Sequence, residues 1–155
     1  MRKVGTVVAS FTAIVMIASL VSAAKQPKVT DPITLKVVER VTTNKLIDLG
    51  ERGPSNGDMI TFHNDVYRFG HPNTSVGRNQ GVCIRIDRQE RSFECRWITF
   101  LKDGAITVEG PLYGDRDSSL AITGGLGLYR NARGKLRVVS PPGSAKNTYI
   151  FNIDP

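Results

Sequence analysis

Two cysteines, two histidines and one tryptophan supply little metal, redox or imidazole chemistry for a chain of 155 residues. No zinc or calcium ligand spacing is present, so no metal site and no cofactor are expected. His71 sits in the turn Gly70-His71-Pro72, and His63 falls on the opposite side of a β-run from Asn64. Helical periodicity is also missing. Pro, Gly, Asn and Asp interrupt the chain roughly every 8 to 15 residues, and the runs between them are rich in Val, Ile, Thr, Phe and Tyr. There is no internal repeat and no low-complexity tract. The glycine cluster in residues 120–134, LAITGGLGLYRNARG, lacks the helix and the later acidic residue that a dinucleotide fingerprint needs. Gly124, Gly125 and Gly127 fit a sharp, coiled strand corner in a closed barrel better.

What the chain does have begins with a leader. Arg2 and Lys3 precede an apolar run over residues 7–21, followed by Val21-Ser22-Ala23-Ala24, the layout of a secretory signal peptide with a small-x-small cleavage site. An uncleaved membrane anchor would need a longer run without Ser10, Thr12 and Ser19. Residues 1–24 are therefore expected to be removed, leaving a secreted or periplasmic domain over residues 25–155 that does not touch the membrane. The whole chain carries a net charge of +7, and cleavage leaves it mildly basic. Arg85, Arg88, Arg91, Arg96 and Lys102 gather in one expected hairpin. That hairpin has no nucleic-acid motif, and a solvated basic rim explains it, although an anionic substrate or acidic surface could exploit it.

About 130 residues after cleavage make one domain with one core. Strands are expected at residues 33–42, 58–67, 75–87, 91–101, 105–113, 119–123, 127–139 and 147–153. Eight strands suit an all-β, closed antiparallel barrel around one ligand. Residues 44–56 read as a polar loop over its mouth.

Alternation places two polar groups among apolar ones. Ile33, Leu35, Val37, Glu39 and Val41 share a face, as do Ile60, Phe62, Asn64 and Val66. Burying a carboxylate and an amide costs several kcal/mol unless they pair or serve a ligand. Either Glu39 and Asn64 bind each other or a water, or they serve a lumen site. Cys83 and Cys95 fall on the third and fourth expected strands. A hairpin turning near Gln89 sets them opposite each other, and an exported chain favours their disulfide.

Four blocks carry a family resemblance in the same order: GDMITFHNDVY (57–67), Gly81-Val82-Cys83, ITVEGPLYGDRDSSLAITGG (106–125) and NTYIFNI (147–153). Together with the trailing ARG of residues 132–134, they resemble the allene oxide cyclase and dirigent families, which share one β-barrel. The resemblance implies that Glu39 stabilises positive charge as an epoxide opens, and that Asn64 helps position a water. It also implies that Cys83 lines the pocket and that Arg133 faces it. It further implies a homo-trimer, which would cover Val82, Ile84, Ile86, Ile98 and Phe100 if these point outward; the opposite facing of the third strand would bury them in a monomer. The chain departs from the family pattern at Val41, where an asparagine is usual, and at Leu112, where the pocket tyrosine falls one residue later as Tyr113. A jasmonate-type substrate therefore has no support here.

Two function classes follow. One is an exported isomerase or cyclase in which Glu39 and Asn64 are catalytic, while Phe62, Trp97, Arg133 and Tyr149 hold a hydrophobic small molecule. The other is a non-catalytic, dirigent-type or small-molecule-binding barrel. A lumen cavity above ~300 Å³ shared by Glu39 and Asn64 is the feature that favours a ligand.

Overall fold

The computed structural model describes residues 28–154; the expected leader lies outside them. Runs of β-branched and aromatic residues, broken by Gly and Pro turns, give nine strands: β1 (Ile33–Arg40), β2 (Lys45–Ile47), β3 (Met59–Arg68), β4 (Ser75–Asp87), β5 (Ser92–Leu101), β6 (Gly104–Tyr113), β7 (Ser118–Gly127), β8 (Arg133–Val139) and β9 (Lys146–Asp154). All neighbours are antiparallel. Strands β3 to β9 follow one another in a meander, and β1 pairs with both β9 and β3. That double pairing closes an eight-stranded barrel and leaves β2 as a short extra strand on β3.

Several strand ends shift by one or two residues from the sequence expectation, and two segments differ by more. The segment read as a loop at residues 44–56 contains β2, because Lys45, Leu46 and Ile47 pair with Thr61, Ile60 and Met59. The glycine cluster belongs to the end of β7 rather than to the start of β8, and a turn over residues 128–132 separates the two. Close approach explains the glycine at the corner. A Cβ on Gly125 would lie 2.4 Å from the carbonyl oxygens of both Ala105 and Tyr129, so no larger residue fits.

Alternation sends one face of every strand into the lumen. Val37, Val66, Ile106, Leu136, Phe151 and Ile153 are among the buried apolar residues. Burial of each such side chain contributes ~1.5 to 3 kcal/mol. The outer face of β4 is apolar toward its C-terminal end, as the outward alternative required: Ile84 is 42% and Ile86 55% exposed, with Ile98 and Phe100 half-buried on the neighbouring strand.

The strand ends at one mouth are tied down by polar groups. Buried Asp58 accepts the amides of Leu49 (3.1 Å) and Ser55 (2.8 Å), and Arg85 lies 3.5 Å away. The amide of Ser55, ahead of that of Leu49, holds the Asp58 carboxyl below its usual value, against the opposing effect of burial. This carboxylate fixes the loop between β2 and β3.

Candidate functional site

Glu39 is the penultimate residue of β1 and only 2% exposed. Its neighbours come from three strands. Oε1 accepts Nδ2 of Asn64 on β3 at 2.8 Å and Nδ2 of Asn79 on β4 at 2.8 Å. Oε2 accepts Nδ2 of Asn147 and the hydroxyl of Tyr149, both on β9 and both at 2.7 Å. Amide nitrogens only donate, so the carboxyl oxygens are the acceptors in the three Asn contacts, an arrangement that suits an ionised carboxylate. Hydrogen bonds to a charged group are worth ~1.5 to 3 kcal/mol each, enough together to offset burial of one carboxylate. No Lys, Arg or His is buried among the described residues. The anion is thus solvated by neutral dipoles and its charge is not cancelled.

Tyr149 is coupled to this anion. Burial, then the Glu39 charge and the hydrogen bond to it, push the phenol well above its usual range, while Asn79 acts weakly the other way. The hydroxyl is therefore a donor throughout the neutral range.

Asn64 has a second duty. Its Oδ1 accepts the backbone amides of Thr42 (2.9 Å) and Thr43 (3.0 Å), and its Nδ2 also donates to Oδ1 of Asn44 at 3.0 Å. One amide thus joins the carboxylate to the chain leaving β1. Glu39 and Asn64 do bind each other, and Glu39 also lines a pocket.

That pocket has a volume of about 510 Å³, within the usual range for small-molecule sites. Its walls include Ile60, Phe62, Phe93, Trp97 and Leu112, with Glu39, Asn147 and Tyr149 as polar lining and Arg91, Tyr113 and the 140–144 loop also on its surface. The Trp97 ring lies 5.6 Å from Tyr149 and 6.1 Å from Phe62, the latter edge-on. Gly81 allows this packing, since a Cβ there would meet the Trp97 Cβ at 2.3 Å. Asn79 Oδ1, Trp97 Nε1 and Thr99 Oγ1 are buried without a hydrogen-bond partner among the described residues.

The sequence-derived site divides into three groups. Glu39, Phe62, Trp97 and Tyr149 converge on the pocket; Asn64 stands behind Glu39 and does not line it. Cys83 lines the pocket as one half of a disulfide with Cys95 (S–S 2.00 Å), in direct register across β4 and β5. A free pocket thiol is accordingly absent. Arg133 is placed outside. Leu136 and Val138 point inward on β8, so alternation turns Arg133 to the surface, where it donates to the Ala132 carbonyl at 2.8 Å. The expectation that it faces the lumen is corrected by this parity. His63 and His71 are exposed, and no cluster of metal-ligating side chains occurs among the described residues.

Asn79 and Asn147 were missed by sequence reasoning. Asn79 was detectable, because it shares the inward face of Cys83 four residues later. Asn147 lies opposite Glu39 in the β1–β9 register, which no local pattern reveals.

Solved structures of similar shape show the same barrel. A pyocyanin demethylase superposes with a TM-score of 0.69 at 23% identity, over 79% of this chain and 100% of that one. A pterocarpan synthase dirigent protein gives 0.60 at 15% identity, over 84% and 94%. A Diels-Alderase from Streptomyces koyangensis gives 0.60 at 14%, over 81% and 69%. The allene oxide cyclase family model matches residues 28–153, the whole barrel with its carboxylate pocket, and the chain belongs to the allene oxide cyclase family.

Proposed function

We propose that this barrel binds an apolar, unsaturated small molecule in the Glu39 pocket and steers its cyclisation or isomerisation. One observation carries the reading: a buried carboxylate, solvated by four neutral donors and not cancelled by any buried cation, borders an aromatic-walled cavity of about 510 Å³. Such an anion favours a reacting molecule that gains positive charge, and its donors are already oriented before the ligand enters. Rigid walls of Phe62, Trp97 and Phe93 restrict the ligand to few conformers, which lowers the entropic barrier to ring closure. Asn64 acts through Glu39 and the Thr42–Thr43 backbone as a positioning residue.

The structural neighbours differ in chemistry: a demethylase, a dirigent protein and a Diels-Alderase are among them. A fold in common does not choose among them. A dirigent-type reading, in which the pocket orients a species made elsewhere, is favoured by the complete hydrogen bonding of Glu39, which leaves that carboxylate no unmet demand. Turnover decides. With a ligand recovered from the native protein, an enzyme converts it alone and Glu39→Gln abolishes conversion, whereas a dirigent protein changes only the product distribution of a separate oxidant.

The same proposal places the protein outside the cytoplasm, supported by the leader-like residues 1–24 and by the Cys83–Cys95 bridge. It also makes the barrel a trimer in which Ile84 and Ile86 are covered by a neighbouring copy. Light scattering should give three chain masses; a mass of one chain at high concentration contradicts it.

A further inference from the structure

We infer that the pocket selects amphipathic anions and takes them in one direction, with the charged end at the rim on Arg91 and the apolar body inward toward Trp97. This rests on the reading of the pocket as a ligand site and adds the charge class of the ligand and the residue that recognises it. The lining carries one buried charge, Glu39, and two exposed ones at the rim, Arg91 and Asp115, of which Asp115 is paired with Arg116 at 3.1 Å. Glu39 is buried, whereas Arg91 is exposed at the tip of the β4–β5 hairpin. Trp97 lies six positions along the chain from Arg91, roughly 20 Å of extended strand.

Arg91 is held in place and electrically available. Its backbone is left-handed, with φ of 50°, and its carbonyl accepts the amide of Gly114 at 3.0 Å. The hairpin tip is thereby fixed to the turn after β6. The acids beside it are engaged elsewhere: Arg116 lies 3.3 Å from Glu90 and 3.1 Å from Asp115. Arg85, the inward cation of the same hairpin, faces buried Asp58 at 3.5 Å and stacks 4.6 Å from the Phe93 ring. The guanidinium of Arg91 makes no ion pair among the described residues.

Direction follows from the two signs. An anionic end pushed inward would meet Glu39 in a poorly solvated space, where like charges repel far more strongly than in water. The same end left at the rim keeps its water and gains a charge-assisted hydrogen bond from a planar donor fork. The body between them contacts Phe93, Cys83, Phe62 and Trp97.

Two fluorescent probes with one body separate charge from shape: 1-anilinonaphthalene-8-sulfonate and uncharged N-phenyl-1-naphthylamine. Titrated into the full protein at low salt, the sulfonate should bind about tenfold tighter than the neutral probe, and the preference should shrink as salt rises. Arg91→Asn suits the left-handed backbone and should bring the ratio close to one, while Arg91→Lys keeps most of it. A ratio unchanged in Arg91→Asn, or a wild-type preference for the neutral probe, overturns the inference while leaving the pocket intact. If neither probe binds, or if filling the pocket with Ile60→Trp changes neither affinity in a variant of unchanged melting temperature, the ligand-site reading itself fails.

Discussion

Tyr149→Phe isolates one donor from the Glu39 cluster with almost no change in shape. The ring keeps its packing against Trp97 and Phe151, and only the hydroxyl is lost. That hydroxyl donates to Glu39 Oε2 at 2.7 Å and accepts from Asn79 at 3.3 Å. A hydrogen bond to a charged group is worth ~1.5 to 3 kcal/mol, and the Asn79 contact is long, so the loss should be about 2 kcal/mol. At roughly 3 to 6 degrees per kcal/mol for a domain of this size, the melting temperature should fall by ~6 to 12 degrees. The pH profile gives an independent readout. The phenol is raised above its usual 10.0 in the folded chain, so the unfolded chain loses this proton first. Its contribution is present below pH 10 and declines as pH rises above it. Tyr129 is also raised, by burial and then by Asp103, so a smaller alkaline loss should persist in the variant. Thermal unfolding followed by circular dichroism between pH 7 and 11 reads both effects. A variant as stable as wild type at pH 7, with an undiminished alkaline loss, would refute the account of Glu39 as an anion held by its donors.

Reduction of Cys83–Cys95 should cost ~2 to 3 kcal/mol and lower the melting temperature by several degrees, checked by unfolding with and without reductant; an unchanged midpoint contradicts a structural role. Gly81→Ala forces a methyl against the Trp97 Cβ, 2.3 Å away. It should destabilise the fold by ~1 to 3 kcal/mol and shift the emission of the single tryptophan, and a neutral result would mean that β4 and β5 are not so closely apposed.

The fold was legible because a barrel strand writes its facing into alternation. Leu35, Val37 and Glu39 were read inward directly, although Ile33 at the strand start is exposed, and the spacing of Cys83 and Cys95 about a turn set the hairpin register that their bridge confirms. Strand β2 was not legible, since three residues flanked by polar ones carry no periodic signal and are held by pairing to β3. Half of the Glu39 cluster was legible by the same logic. Asn147 was not, because its role comes from strand closure between β1 and β9, a contact between residues 108 positions apart. Arg133 misled because a short motif beside a turn glycine does not specify parity; one residue of register decides between lumen and solvent.

The central claim is that the Glu39 pocket holds a small molecule, and native mass spectrometry of protein isolated from its own source tests it most directly. The account predicts a non-covalent adduct that fits a cavity of about 510 Å³, retained by wild type and lost when Ile60→Trp fills the pocket. Wild-type protein that always appears at bare chain mass, alone or after incubation with extracts of its source, would contradict it.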